Sequence, residues 1–402
     1  MPEVSMTAES TLQRDGLTWL NYLMMGFYSY LLNILGPITP FIRDELELSY
    51  TVGSFHFSAF ALGMIAAGLL GERWVALLGR RRVFWGGGIG MLLGMLLLTL
   101  GRSPVITVTG ALLMGSLGSL TFSLIPVFLT RHHPRASLRS LTEANLVASS
   151  FGFVAPFLVS FFAVWLLNWR AALWLTIPLW LALWLLYRRQ TLPEPEATPS
   201  ATGGASFGAR FWLRWLVVFL VVGIEFCILF WGPDFLRDTR SIDSSEAAAA
   251  AGFALVGMFL GRAAGSFLLN QWPVWLRFVA SLALVLGGGL LLLTTTRAPL
   301  ELNMLLIGLG VANLYPIAFD TSLRAVFSHH DAASSRLVMA SGVAILGLPL
   351  IVGNLADQIG IEQALPLVVG VLLALVVSLF AALEQRAASS LVTMARHENR
   401  KD

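Results

Sequence analysis

Lysine is almost missing from this chain: of 26 basic residues only Lys401 is a lysine. Cysteine is reduced to Cys227, which excludes a disulfide framework and a cysteine metal cluster. Charge is scarce as well, at 12% of 402 residues against 56% hydrophobic, with a mean hydropathy of +0.76. A chain so poor in charge is not the two or three soluble domains that its length suggests. No room is left for a soluble catalytic or nucleotide-binding domain. The net charge of +3 gives no footprint for nucleic acid, because the arginines sort by position along the chain. Residues 1–16 are polar and hold no cleavable apolar core, so the first apolar segment is expected to be retained.

What fills the chain instead is twelve apolar segments, six on each side of a polar stretch at 188–214. They run approximately over 17–42, 50–71, 83–100, 105–130, 141–166 and 171–187, then 215–235, 247–269, 278–296, 302–327, 337–356 and 364–383. A bilayer demands segments of about 20 apolar residues, each satisfying its own backbone hydrogen bonds. Open sheet edges are not tolerated in lipid, so all are expected to be helices. The reading is an all-α membrane protein of twelve transmembrane helices in two pseudo-symmetric six-helix bundles. Its parts are a tail at 1–16, bundles at 17–187 and 215–383, a linker at 188–214 and a second tail at 384–402. Inside the linker, the run from Pro193 to Ser206 is rich in Pro, Glu, Ser and Gly and reads as a flexible tether.

Orientation follows from the basic residues. Eighteen lie in the tails and even-numbered loops, among them Arg80, Arg81, Arg139 and Arg336, while the opposite loops hold six, including Arg43 and Arg237. Both termini are therefore expected to be cytoplasmic, in the inner (plasma) membrane of a bacterial cell.

Internal repetition ties the halves together. Phe60-Ala61-Leu62-Gly63-Met64 is echoed by Phe253-Ala254-Leu255-Val256-Gly257-Met258, and Ile125-Pro126 by Tyr315-Pro316. Each proline is followed by a histidine pair (His132-His133, His329-His330), an arginine (Arg139, Arg336) and a span with a central proline (Pro156, Pro349). The shared offset of about 190–197 positions marks a duplicated unit. Gly36-Pro37, Pro40, Pro126, Pro156, Pro316 and Pro349 interrupt helical hydrogen bonding inside spans, as hinges or simply as tolerated kinks.

Twelve spans, cytoplasmic termini, a long central loop and repeated halves resemble the Major Facilitator Superfamily over essentially the whole chain. The local anchor is Gly79-Arg80-Arg81-Arg82, with Gly71 upstream. It resembles the family's loop signature, although the spacing is one residue longer and the aspartate position falls on Ala76. The resemblance implies that this cluster latches the halves on the cytoplasmic side; the positive-inside rule alone also accounts for the arginines. Two drug-antiporter signatures are altered, with Ala111 at the span-four arginine position and Val159-Ser160 after Ala155-Pro156 in span five. Leu141-Thr142-Glu143-Ala144-Asn145 and the stretch from Gly353 to Gly360 are similar to those of bacterial members of the superfamily.

Ionisable groups inside spans mark ion paths by default. Glu225 lies eleven positions after Arg214, roughly 16 Å along a helix. It reads either as a proton carrier or as a protonated carboxyl bonded to a neighbouring helix. Asn313, Pro316, Asp320 and Arg324 share one helical face. Asp320 divides between proton coupling and pairing with Arg324 at i, i+4. Arg262 reads as an anion-binding group, a partner of Glu225, or an interfacial arginine. The first half offers neutral faces: Tyr22, Gly26, Ser29, Asn33 and Pro37 on span one, and Asn145, Ser149, Gly152 and Pro156 on span five. By the resemblance, Tyr22, Asn33 and Asn145, with Asn313 and Tyr315, are substrate contacts; the alternative is packing between helices. Arg139 and Glu143 read as a gate ion pair beside Arg80, Arg81 and Arg324.

The resulting expectation is a secondary transporter of a small organic solute, proton-coupled and directed outward, acting as a monomer without cofactor, metal or nucleic acid. A membrane enzyme needs a nucleophile and base, or a metal set, inside the spans, and the histidines lie at loops or span edges, except for His56 early in span two. A transporter-derived sensor and a proton-coupled uptake permease remain as alternatives.

Overall fold

In the computed structural model the described residues are 12–193, 207–267, 271–295, 298–324, 326 and 330–398. They form helices only: α1 Gly16–Asn33, α2 Leu35–Leu46, α3 Tyr50–Leu78, α4 Arg80–Leu100, α5 Pro104–His132, α6 Ser137–Trp165, α7 Arg170–Trp174, α8 Thr176–Tyr187, α9 Ala209–Arg240, α10 Ser244–Phe267, α11 Val274–Thr294, α12 Leu300–Arg324, α13 His330–Ile359 and α14 Ile361–Glu398. Eleven spans are long and apolar enough to cross a membrane. The remaining expected span, the first, is present as the broken pair α1 and α2.

Proline explains both breaks inside spans. Pro37 has no N–H to offer the carbonyl four residues back, and α1 ends at that residue, Asn33. Pro178 acts the same way on Trp174, where α7 gives way to α8. Pro126, Pro156, Pro316 and Pro349, read as possible interruptions, all lie within continuous helices. The turn into α4 is made at Gly79 and that into α14 at Gly360, with φ of 79° and 81°, a region that disfavours side chains. Helix α14 continues beyond its span, Ile361–Leu383, to Glu398, where a tail at 384–402 was expected.

At the other end of the chain Asp15 caps α1, accepting from the Thr18 backbone N–H at 3.0 Å and its hydroxyl at 2.8 Å. Burial pushes the Asp15 carboxyl up; the Thr18 bonds and His132 outweigh it and hold the group below the usual carboxylate range.

The chain divides into two compact units, but not at the linker alone. One unit holds the chain up to Leu35 and from Leu62 to the linker; the other holds Gly36–Ala61 and everything after the linker. The expected bundle 17–187 is thus interrupted by a segment that packs with the second unit.

The repeated glycine motif has the same task in each unit. A Cβ on Gly63 would stand 2.5 Å from the Ser116 nitrogen and 2.6 Å from the Leu112 carbonyl of α5. A Cβ on Gly257 would stand 2.3 Å from the Leu305 carbonyl and 2.8 Å from the Leu309 nitrogen of α12. Both glycines let a span touch its neighbour backbone to backbone, as small residues do in membrane interfaces. Gly257→Ala is expected to lower the thermal midpoint of the detergent-solubilised protein, the overpacking costing about 1–3 kcal/mol. Gly287→Ala, where nothing lies within 4 Å, is the control and should not lower it.

Candidate functional site

In the second unit Glu225 sits at the middle of the 32-residue α9. Its side chain is 10% exposed, and the Arg262 guanidinium of α10 approaches Oε1 at 3.6 Å. Of the readings open for Arg262, the structure shows the ion pair with Glu225. The distance is beyond a good hydrogen bond, so the pair is loose and its arginine is 44% exposed. The structure thus brings together two of the residues singled out from sequence.

The other polar residues of α12 have partners of their own. Asn313 donates to the Gly261 carbonyl at 2.9 Å, joining α12 to α10. Asp320 accepts from Arg324 Nε at 2.8 Å, with both side chains more than half exposed. The i, i+4 pair is therefore formed.

In the first unit the polar face of α1 meets the polar face of α6. Tyr22, 1% exposed, donates to Glu143 at 3.3 Å. Gly26 lies under the Phe151 ring, and Gly152 lies under Ser29 and Asn33. Asn33 also donates to the Ser29 carbonyl at 2.8 Å. Tyr22 and Asn33, selected as substrate contacts, thus lie along a seam between α1 and α6. Asn145 is exposed and donates to the Leu141 carbonyl at 2.8 Å.

Glu143 has a stronger partner than the one expected. Arg14 binds it through two bonds of 2.8 and 2.7 Å, whereas Arg139 reaches it at 3.3 Å. Arg80 and Arg81 donate at 3.0 Å to the Pro193 and Gln190 carbonyls, and Arg81 also to that of Arg188. These carbonyls follow the C-terminus of α8, where unpaired acceptors and the helix dipole favour cations.

The most extensive charged cluster was not foreseen. Phe41-Ile42-Arg43-Asp44 at the end of α2 recurs as Phe235-Leu236-Arg237-Asp238 at the end of α9, 194 positions later. The second unit contains both copies, and ion pairs join them to each other and to the adjoining Asp234. Arg43 binds Asp234, which has no exposed surface, and Arg237 binds Asp44 at 2.9 and 3.0 Å. Arg237 also binds its neighbour Asp238 at 2.7 Å. Tyr50 at the start of α3 closes the cluster: Arg43 stacks 3.5 Å above its ring, and its hydroxyl donates to Asp238. Asp357 of α13 then caps α3, accepting from the backbone N–H groups of Tyr50 and Thr51 at 2.7 and 2.9 Å. Below it, Phe57 stacks on Phe230 at 4.2 Å and Ser58 donates to the Leu346 carbonyl at 2.7 Å. The signal was in the sequence as a second repeat at the offset of the first. It was missed because Arg43 and Arg237 were counted only as exceptions to the positive-inside rule.

Repeated halves built from membrane helices, with ionisable pairs held inside and at the ends of spans, define a multi-pass membrane protein of the transporter class. The chain belongs to the Major Facilitator Superfamily, whose sequence profile matches residues 18–335. No curated protein matches it by sequence. Among solved structures it is similar to a mutant of the nucleoside transporter NupG, with a TM-score of 0.74 at 14% identity, covering 91% of this chain and 98% of that one. It is also similar to a bacterial homologue of the human lysosomal transporter Spinster in an inward-facing, occupied conformation, with a TM-score of 0.73 at 14% identity over 93% and 98% of the two chains. Identities this low establish the shared fold alone.

Breaking the crossed cluster on one side leaves a buried charge without its partner. Asp234→Ala is expected to destabilise the protein by about 3–5 kcal/mol, and the Arg43→Ala/Asp234→Ala double variant by clearly less than the sum of the singles. Thermal unfolding of the four proteins in one detergent measures this; additive losses would show that the pair is not coupled.

Proposed function

We propose that this protein moves a small organic solute across the membrane by alternating access, with Glu225 as the residue that couples transport to protons. The carrying observation is the loose pairing, at 3.6 Å, of the buried Glu225 in the middle of α9 with the partly exposed Arg262. A carboxylate in that position is stabilised mainly by its arginine. A solute anion that takes Arg262 removes that stabilisation and favours protonation of Glu225; a solute cation that takes Glu225 displaces the proton. Either way the charge of the solute and the proton are linked through one pair. Tyr315 of α12 is assigned as a further solute contact.

Asp320, exposed and paired with Arg324, is assigned a structural role. Glu143 with Arg14 and Arg139 is assigned to a gate on the side of the termini, which the excess of arginine makes cytoplasmic. The crossed cluster at 36–61 is assigned to the opposite gate, and its release from the second unit is the opening step. The direction proposed is export from a bacterial cell, by the antiport of protons. That direction rests on analogy within the family.

The test is transport in proteoliposomes over a panel of solutes that includes nucleosides and organic anions and cations. Accumulation driven by an acidic interior marks proton antiport, and accumulation driven by an acidic exterior marks symport. Glu225→Gln is expected to retain solute counterflow and lose accumulation driven by the pH gradient. Full gradient-driven accumulation in that variant would remove Glu225 from the coupling. Saturable solute binding without any flux would favour a sensor.

A further inference from the structure

Three potential metal ligands meet where the first helix begins and α5 ends, at a place the transport reading does not use. Helix α5 closes on His132, and His133 is its C-cap. Asp15, the N-cap of α1, faces both. His132 Nε2 lies 2.6 Å from Asp15 Oδ2, and the two imidazole rings are 4.5 Å apart at 67°. One ligand atom from each of Asp15, His132 and His133 lies within 4.8 Å of the other two.

The hydrogen bonds divide the labour in a way that suits an ion. Asp15 uses Oδ1 to cap α1, binding the Thr18 N–H and hydroxyl, which leaves Oδ2 turned toward His132. The Thr18 hydroxyl also lies 2.6 Å from His133 Nε2, so a fixed neighbour orients that ring. Outer contacts of this kind set the tautomer and direction of metal-binding histidines. A cation bound here would replace the hydrogen bond between His132 and Asp15.

We infer that Asp15, His132 and His133 form a site for a divalent ion of the zinc class. Two imidazoles and one carboxylate are a donor set for zinc and its neighbours, with water completing the shell, whereas magnesium and calcium prefer oxygen alone. Bonds of about 2.0–2.2 Å bring such ligands to roughly 3.3 Å from one another. From a bound of 4.8 Å the farther donors close by up to about 1.5 Å, while His132 Nε2 and Asp15 Oδ2, at 2.6 Å, open by about 0.7 Å, within the range of side-chain rotation for groups that are partly exposed. Three ligands with an open fourth position describe an accessible, exchangeable site. Its occupation would tie the start of α1 to the end of α5, next to the Arg14–Glu143 pair, and so make the first unit responsive to metal.

The test uses the full-length protein without an affinity tag, stripped with chelator, in detergent. Zinc chloride is titrated by calorimetry, and the thermal midpoint is followed with and without zinc. The expected result is one equivalent of zinc bound, with a rise in the midpoint, and no comparable effect of magnesium. Asp15→Asn retains a good helix cap but loses the carboxylate; it and His132→Gln/His133→Gln should each weaken zinc binding by more than about tenfold. If the histidine variant does not fold, Asp15→Asn decides alone. Absence of saturable zinc binding in the wild type, or equal binding of magnesium, would overturn the assignment. So would zinc binding that survives these substitutions and disappears on replacing His329 and His330, of which residue 329 lies outside the described residues.

Discussion

A carboxylate with no exposed surface has to be matched by a cation, and at Asp234 that cation comes from a segment 191 positions earlier in the chain. This pairing of Arg43 with Asp234 explains why Gly36–Ala61 groups with the second compact unit and not with the helices around it in sequence. A buried ion pair adds little net stability compared with apolar packing, yet losing one partner is severe. Such a pair is poor glue and good specification. It fixes which helix ends meet, and the aromatic stack of Phe57 on Phe230 supplies the apolar contact beneath it. Duplication supplies most of the cluster, because the same four-residue motif gives Arg43 and Asp44 on one side and Arg237 and Asp238 on the other, while Asp234, just before the second copy, has Pro40 as its counterpart.

The remaining features follow from the same constraint that polar groups inside a membrane protein need partners. Asn33, Asn145 and Asn313 each donate to a backbone carbonyl. Arg80 and Arg81 satisfy carbonyls beyond the end of α8. Glu225 stands apart. Its described ionic partner, Arg262, is 3.6 Å away, a looser pairing than that of the buried Asp234 with Arg43. That contrast separates a residue suited to exchanging a proton from residues that hold helices together.

Much of the fold was legible in the sequence because lipid allows so few solutions. Long apolar runs had to be helices, and Gly63 and Gly257 marked the repeat that the backbone contacts then explained. The breaks were less legible. Pro37 and Pro178 divide their spans while Pro126, Pro156, Pro316 and Pro349 do not, and proline alone carries no sign of which neighbours will hold a helix together. Among candidate site residues, the pairing of Glu225 with Arg262 was legible because a charge in mid-span is conspicuous. The surroundings of Tyr22 and Asn33 were not, because a polar helical face looks the same whether it borders a cavity or another polar face. Arg14 and the crossed cluster were missed for a third reason: their partners are distant in sequence, at Glu143, Asp234 and Asp44.

In the proposed alternating-access cycle, the segment 36–61 leaves the second unit for the solute to pass. A reversible cross-link tests it directly. A Cβ on Gly353 would lie 3.0 Å from the Cβ of Ser54 and 2.8 Å from the Tyr50 carbonyl, so the two helices must part by roughly 0.5–1 Å to accept a disulfide there. In a Cys227→Ala background, Ser54→Cys with Gly353→Cys should form a disulfide that stops transport under oxidising conditions, with recovery on reduction. Undiminished transport with the cross-link fully formed would contradict the account.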